Sequence, residues 1–165
     1  MKKLIVLLSV ATCLQLQAWP EQIVVVRHAE KEAGKSDPHL SLCGQQQAKA
    51  MAALLNVPLQ QVWHSGLNRT RETAALMAST WPDATQHSYP PADFGPVINA
   101  LQQSTETTLI AGHSNTVPEL LSQLSSQPAP ELTEQDYGQV FVLTRKNAGY
   151  QWQRLSIQQP DACRH

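Results

Sequence analysis

The fold class is predicted from one stretch of the chain, Gln22-Ile23-Val24-Val25-Val26, which is followed directly by Arg27-His28. Uninterrupted β-branched residues predict a strand that is buried on both faces of a parallel sheet. A second run of this kind, Thr107 to Ala111, is followed by Gly112-His113. Because ligands bind beyond the carboxyl ends of parallel strands, the two runs predict a site where the residues that follow them meet.

Outward from these two strands, the chain alternates between strand and helix patterns. The further predicted strands are Gln61 to His64, an edge strand Thr85 to Tyr89, and a hairpin of Gln139 to Thr144 and Tyr150 to Ile157 around Asn147-Ala148-Gly149. Two of the predicted helices begin at a Ser41 cap and at an Asn68 cap, a third has Pro118 in its first turn and runs through Leu124, and a weak helix lies within Asp93 to Gln103. This order predicts an α/β three-layer sandwich with a mainly parallel central sheet and an antiparallel edge hairpin.

Length and composition limit the class of protein. The 165 residues, 42% of them hydrophobic, suffice for one domain with one sizeable core. The 12 Lys and Arg residues against 13 Asp and Glu residues give a net charge of −1. This balance excludes the basic surface that non-specific nucleic-acid binding requires, so no nucleic-acid partner is expected.

The beginning of the chain has the pattern of a secretory signal peptide. Lys2 and Lys3 precede a mostly apolar run from Leu4 to Leu16, and Ala18 offers a small residue for cleavage. The run is shorter than the roughly 20 residues of a spanning helix, so a membrane anchor is less favoured, as is lipid modification of Cys13. We expect a signal peptide at 1–18, one domain at 19–165, export to the periplasm or the extracellular space, and no stable membrane span in the mature form.

Export would leave Cys43 and Cys163 in a compartment where disulfides persist. Two interpretations are open: the cysteines pair, or Cys43 is a small residue at a helix start and Cys163 lies in a frayed tail. Neither belongs to a Cys-x-x-Cys motif, so a zinc or redox role lacks support.

Arg27, His28, Arg69 and His113 form a set suited to phosphoryl transfer. Arg69 joins the other three because Ser65 ends a predicted strand and leads directly towards it. Arginine pairs bind the non-bridging oxygens of a phosphoryl group, and a neutral imidazole attacks phosphorus in line. A histidine beside two arginines also loses its proton easily, which keeps it nucleophilic near neutral pH.

Four motifs, in order along the chain, carry a resemblance to a known family. They are Val25-Val26-Arg27-His28-Ala29-Glu30-Lys31, Leu40-Ser41-x-x-Gly44-x-x-x-Ala48, Ser65-x-x-x-Arg69-Thr70-x-Glu72-Thr73-Ala74 and Ala111-Gly112-His113-Ser114-Asn115-Thr116-Val117-Pro118. From Ile23 to about Arg145 the chain resembles the histidine phosphatase superfamily, which also contains the cofactor-dependent phosphoglycerate mutases. The segment Tyr137-Gly138-x-x-Phe141-Val142 is similar to the last core strand of the small exported bacterial members.

The resemblance implies a phosphoglycerate mutase-like fold and a role for each residue of the set. His28 would be the nucleophile that becomes phosphorylated, Arg27 and Arg69 would bind the phosphate, and His113 would donate to phosphoryl oxygens or steady the transition state. No metal and no other cofactor is implied. Separately, the backbone N–H groups of Ser114 and Asn115 are candidates for phosphate binding near a helix start, or the two are ordinary loop and cap residues.

The general acid is left open between two carboxylates. Larger members of the family place it between the second arginine and the second histidine, where Asp93 has the most favourable loop position. Glu30, two residues after the nucleophile, is the rival, and either residue could instead be a solvated surface carboxylate. Some short members lack a dedicated acid and favour substrates with good leaving groups, such as phosphohistidine.

These observations favour an exported phosphatase that hydrolyses phosphate monoesters or phosphohistidine through a covalent intermediate on His28. The alternative is a catalytically weak module that binds envelope sugar or lipopolysaccharide phosphates. A metal site of His28, His64 and His113 is disfavoured, because the spacing matches no helical metal motif and adjacent arginines repel cations. The expected partner is a phosphorylated small molecule, envelope glycan or peptide, and the expected state is a monomer.

Overall fold

A computed structural model describes residues 18–147 and 149–163. The predicted signal peptide lies outside the described residues except for Ala18, and so do Cys13 and Ala148 of the predicted hairpin turn. Within these two ranges, no helix is both long enough and apolar enough to cross a membrane.

The described residues form six strands, four α-helices and a short 3-10 helix at Asp161–Cys163. The strands are β1 Gln22–Arg27, β2 Gln61–His64, β3 Thr85–Ser88, β4 Thr108–Gly112, β5 Gln139–Lys146 and β6 Gly149–Ser156. The helices are α1 Leu42–Ala52, α2 Asn68–Met77, α3 Gly95–Leu101 and α4 Thr116–Leu124. The strands build one sheet in the order β3-β2-β4-β1-β5-β6.

The sheet is parallel on one side and antiparallel on the other. Strands β3, β2, β4 and β1 run parallel, whereas β5 is antiparallel to β1 and pairs with β6 as a hairpin. Val26 is opposite Ala111 of β4 and opposite Val140 of β5. The carboxyl end of β1 therefore lies between the carboxyl end of β4 and the beginning of β5. The predicted mainly parallel sheet with an edge hairpin is confirmed.

Helices cover both faces of the sheet because alternate β1 residues point to opposite sides. Ile23 and Val25 belong to a core shared with apolar residues of α3 and α4. Val24 and Val26 belong to a second core shared with apolar residues of α1 and α2. All four β1 side chains are fully buried, as the continuous apolar run predicted. The result is the predicted arrangement of three layers.

Helix α1 begins as predicted and brings the chain close to the site. The Ser41 hydroxyl accepts a hydrogen bond from Gly44 N at 3.0 Å, which caps the helix. A Cβ atom at Gly44 would lie 1.9 Å from the Glu30 carbonyl oxygen. Only glycine at this position lets α1 pack so tightly against the backbone that follows His28.

The beginning of one predicted helix differs from the prediction, and that of another agrees with it. Leu67, not Asn68, occupies the cap position of α2, because the backbone and side chain of Asn68 donate hydrogen bonds to Asp37 in the preceding loop. Helix α4 begins at Thr116 and ends at Leu124, so Pro118 lies in its first turn as predicted, where a missing N–H is tolerated.

Cys43 and Cys163 form a disulfide bond. It joins the first turn of α1 to the 3-10 helix near the end of the chain, and 120 positions separate the two residues in sequence. Of the two interpretations that the sequence left open, pairing is correct.

Candidate active site

His28 follows β1 directly and is held in one tautomer. Its Nδ1 lies 2.8 Å from the carbonyl oxygen of Ala29. A carbonyl oxygen only accepts, so Nδ1 carries the proton and the lone pair of the neutral ring is on Nε2. The ring is 3% exposed, which leaves it little freedom to turn. This arrangement presents Nε2 as a nucleophile.

Two backbone hydrogen bonds position the segment around His28. His28 N donates to Gly112 O at 2.9 Å, which extends the pairing of β1 with β4 by one residue. Ala29 N donates to the Thr73 hydroxyl of α2, also at 2.9 Å. As a result, the imidazole rings of His28 and His113 lie edge to face, with centroids 5.4 Å apart.

A chain of hydroxyl groups sets the tautomer of His113. Thr70 Oγ1 donates to Leu67 O at 2.9 Å, so it accepts from Ser65 Oγ, which is 2.9 Å away. The Ser65 hydroxyl, having donated its hydrogen, accepts from Nε2 of His113 at 2.8 Å. Nε2 of His113 is therefore protonated, and Nδ1 is the atom at which this ring gains or loses a proton.

Burial keeps both histidines neutral. It is the main cause that lowers the pKa of His28 to about 3, and the charges of Arg27, His113 and Arg69 lower it further, although the Ala29 carbonyl raises it. Burial, followed by the charges of Arg69 and Arg27, lowers the pKa of His113 to about 4, while Glu134 raises it. At neutral pH the Nε2 lone pair of His28 is thus available.

Arg27 is buried and uses most of its donors on one loop. Its Nη1 donates to Thr133 O at 2.7 Å and Asp136 O at 3.2 Å, and its Nη2 donates to Glu134 O at 3.0 Å and Glu134 Oε2 at 3.2 Å. The guanidinium carbon also lies 4.3 Å from the centre of the Tyr137 ring. Among the described atoms, Arg27 Nε is buried and has no hydrogen-bond partner. One donor of Arg27 therefore remains for a ligand.

Arg69 extends from the first turn of α2. Its Nη1 lies 3.7 Å from Asp37 Oδ1, and its side chain is 17% exposed. Its Nε is also buried and, within the part of the chain that the structure describes, unpaired. An unpaired buried donor is costly unless a ligand pairs with it, so Nε of each arginine is a candidate phosphate donor. The structure thus brings together the charges of Arg27 and Arg69 around the two histidines, as the pKa values show.

Glu134 is the carboxylate that the structure adds to this set, although it belongs to none of the four sequence motifs. It pairs with Arg27 Nη2 and accepts a hydrogen bond from the Ser114 hydroxyl, next to His113. It belongs to the loop that enters β5, and β5 begins beside the carboxyl end of β1. The predicted antiparallel hairpin could have indicated this position. A strand that pairs antiparallel with β1 begins beside the carboxyl end of β1, so the loop before it lies near the site.

The two carboxylates proposed from the sequence are engaged elsewhere. Asp93 is exposed, and its Oδ1 accepts from Gly95 N at the start of α3. Glu30 Oε1 accepts from the Ser41 hydroxyl at 2.7 Å, at the start of α1. Neither is among the charges that shift the pKa of His28 or His113, whereas Glu134 is among those that shift His113.

Ser114 and Asn115 lie between His113 and α4. Ser114 donates to Glu134, and Asn115 occupies the cap position of α4 without a side-chain cap hydrogen bond. Helix α4 follows directly at Thr116, and Val117 N donates to His113 O at 2.9 Å. His64 directs its Nδ1 to Gly66 N, and the described residues contain no group of three or more His, Cys, Asp or Glu side chains placed to hold a metal ion.

Comparison with known proteins assigns the architecture. The family model of the histidine phosphatase superfamily (branch 1) matches residues 23–88, which contain His28 and both arginines. A solved structure from Agrobacterium tumefaciens, provisionally assigned as the phosphohistidine phosphatase SixA, superposes with a TM-score of 0.63 at 16% identity, over 84% of this chain and 99% of the other. The fold is that of the histidine phosphatases. The chain is similar to this superfamily in sequence over residues 23–88 and in fold over most of its length.

Two further solved structures share the fold. A Nakamurella multipartitia protein with the same provisional SixA assignment has a TM-score of 0.62 at 20% identity, over 83% of this chain and 96% of the other. A phosphoserine phosphatase variant from Entamoeba histolytica, in complex with phosphoserine, has a TM-score of 0.58 at 15% identity, over 79% of this chain and 94% of the other. No curated protein shows a significant sequence match.

Proposed function

We propose that the protein is a metal-independent phosphatase that hydrolyses phosphate monoesters or phosphohistidine through a phosphorylated His28. One observation carries the proposal: a buried imidazole with its lone pair held on Nε2 shares a site with two buried, unpaired arginine Nε donors. A nucleophile without its own proton, beside cationic donors without partners, is matched to a phosphoryl group.

The first half of the reaction forms a bond between Nε2 of His28 and phosphorus. The bond from phosphorus to the leaving group breaks, and the leaving group departs with the bonding electron pair. The Nδ1 hydrogen bond to Ala29 O stabilises the positive charge that develops on the ring. Arg27 Nε and Arg69 Nε stabilise the negative charge on the equatorial oxygens.

His113 responds to the charge of the bound phosphate. Two negative charges close to the ring favour its protonated form, opposing the burial that lowers its pKa in the free protein. The Ser65 and Thr70 hydroxyls hold Nε2 in place, so the incoming proton is carried on Nδ1. Protonated His113 then adds a third positive charge beside the transferring phosphoryl group.

The substrate class is proposed from three features. Two of the similar structures are provisionally assigned as phosphohistidine phosphatases and another is a phosphoserine phosphatase, so N-linked and O-linked phosphates are both candidates. The signal-peptide pattern favours an exported protein of the small bacterial branch. The disulfide supports the same compartment, because such bonds persist outside the reducing cytosol. An exposed phosphate on an envelope glycan, a peptide or a nutrient ester fits these conditions.

The test is hydrolysis of p-nitrophenyl phosphate by the wild-type protein with and without EDTA. Because p-nitrophenolate leaves without protonation, this substrate tests the nucleophile and the phosphate pocket alone. We expect turnover that is unchanged by EDTA. A folded protein that binds orthovanadate but turns over neither p-nitrophenyl phosphate nor a phosphohistidine peptide would contradict a phosphatase and indicate a phosphate-binding module.

Arg69→Ala is expected to lower kcat/KM for p-nitrophenyl phosphate by roughly 10²- to 10³-fold, the usual cost of removing one donor to a charged transition state. KM is also expected to rise, since Arg69 Nε binds the phosphate in the ground state. The matched control is Arg71→Ala: Arg71 is exposed and donates to Asn68 Oδ1 on the same helix. Steady-state kinetics of the two variants should differ sharply, and equal losses would contradict the assignment of Arg69.

A further inference from the structure

Glu134 holds its carboxylate at the entrance of the site. Its side chain is 72% exposed, although Arg27, to which it is paired, is only 2% exposed. Its second contact is the hydroxyl of Ser114, the residue that follows His113. A solvent-facing carboxylate is thus anchored between the arginine that precedes the nucleophile and the serine that follows the second histidine.

The loop that carries Glu134 is fixed to the site at several points. Arg27 holds the carbonyl oxygens of Thr133, Glu134 and Asp136. The Asp136 carboxylate accepts from the backbone N and the hydroxyl of Thr133, each at 2.6 Å, which closes the loop on itself. A surface side chain without a function needs no such fixed backbone, whereas a reacting group must be held in one position.

We propose that Glu134 accepts a proton from the water molecule that hydrolyses phosphorylated His28. The inference rests on the proposed function and adds the group that completes the second half of the reaction. His28 is buried behind the phosphoryl group, so the leaving group departs towards solvent and water enters from the same side. We place Glu134 on that side because its side chain is 72% exposed, although the charges of Arg27 and His28 both act on it.

Hydrolysis of the phosphohistidine forms one bond to phosphorus and breaks another. The water oxygen forms a bond to phosphorus while the bond between phosphorus and Nε2 of His28 breaks. The electron pair of that bond returns to Nε2, which restores the nucleophile. One water proton passes to the Glu134 carboxylate, and inorganic phosphate leaves.

The charge state of Glu134 is set by its neighbours. The hydrogen bond from Ser114, together with the charges of Arg27, His28 and Lys31, holds the pKa of the Glu134 carboxyl below its usual value, and these effects outweigh its partial burial. The group is therefore a carboxylate at neutral pH and is ready to accept a proton. Asp93 and Glu30, the candidates from the sequence, contribute no charge that acts on His28 or His113, whereas the charge of Glu134 acts on His113.

The experiment is rapid mixing of p-nitrophenyl phosphate with the wild type, Glu134→Gln and Glu131→Gln. Glu131 is an exposed carboxylate of the same loop and provides the matched control. For Glu134→Gln we expect a burst of p-nitrophenolate equal in amount to the enzyme, then steady turnover slowed by about 10²- to 10⁴-fold, the range for loss of a general base. Phosphohistidine should accumulate on the variant, and Glu131→Gln should behave as the wild type.

The burst rate separates a proton acceptor from a positioning residue. If Glu134 only positions Arg27, its replacement slows the burst as well as the steady state, and no phosphohistidine accumulates. That result, or unchanged turnover in Glu134→Gln, would overturn the inference while leaving the phosphatase in place. No turnover by the wild type, or turnover without any phosphorylated His28, would instead overturn the proposed function on which the inference rests.

Discussion

Replacement of His28 by alanine should lower the hydrolysis of p-nitrophenyl phosphate by at least about 10⁴-fold, since it removes the proposed nucleophile while leaving the arginines in place. Burial keeps this ring neutral, and the Ala29 hydrogen bond leaves its lone pair on Nε2, whereas the neighbouring His113 has its Nε2 hydrogen-bonded to Ser65. The fold should persist, because the side chain lies at a strand end and outside both apolar cores. A change in the free energy of unfolding of about 1–2 kcal/mol is expected.

The measurement combines kinetics with trapping of the intermediate. After a short reaction with labelled substrate, the wild type should carry acid-labile phosphate and His28→Ala should carry none. His87→Ala is the control, because it also removes an imidazole, one that stacks on Trp63 with ring centroids 4.5 Å apart in the edge pair of β2 and β3. Retained turnover in a folded His28→Ala protein would rule out a covalent phosphohistidine mechanism.

Loss of the disulfide should have the largest effect on stability. The bond spans 120 positions, and in the chain-entropy description a loop of that length restricts the unfolded state by nearly 5 kcal/mol at most. Because engineered and native disulfides often deliver less than this limit, we expect a loss of about 3–5 kcal/mol in Cys43→Ser/Cys163→Ser. The midpoint of thermal unfolding should fall by roughly 10 °C.

Thermal unfolding of the wild type with and without reductant, beside the double serine variant, checks this expectation. The reduced wild type and the variant should unfold at the same temperature, and reductant should not affect the variant. Turnover measured well below the transition should persist, since the sulfur atoms are not part of the site. A wild type whose midpoint is unchanged by complete reduction would show that tertiary packing alone holds the end of the chain on α1.

Much of the fold follows from local pattern. The apolar runs of β1 and β4 predicted buried strands of a parallel sheet, and both strands are buried. Ser41 caps α1, as its position before the helix predicted. The cap position of α2 differs from the predicted one because a tertiary contact outweighs the local preference for a cap residue. Asn68, a good cap residue, instead binds Asp37, which also lies close to Arg69.

The candidate nucleophile, the second histidine and the two arginines were recognisable from the sequence because each stands at a strand end or in a strand-to-helix turn. The sequence did not predict which atoms of these side chains remain unpaired. Sequence pattern treats Arg27 as a whole guanidinium for the phosphate, whereas the structure commits both Nη atoms to the loop before β5 and leaves only Nε. Hydrogen-bond partners that are more than a hundred positions apart leave no local trace.

Local sequence patterns specify the α/β class, the buried strands and the residue types that meet at their carboxyl ends, because periodicity and strand ends are local properties. The other features of the fold and the site depend on contacts between distant segments. Glu134 lies at the site because β5 pairs antiparallel with β1. The tautomer of His113 depends on its hydrogen bond to the Ser65 hydroxyl. Cys43 and Cys163 form a disulfide because the 3-10 helix packs against α1. Each of these depends on segments distant in sequence becoming neighbours, and only the assembled sheet and helices specify that.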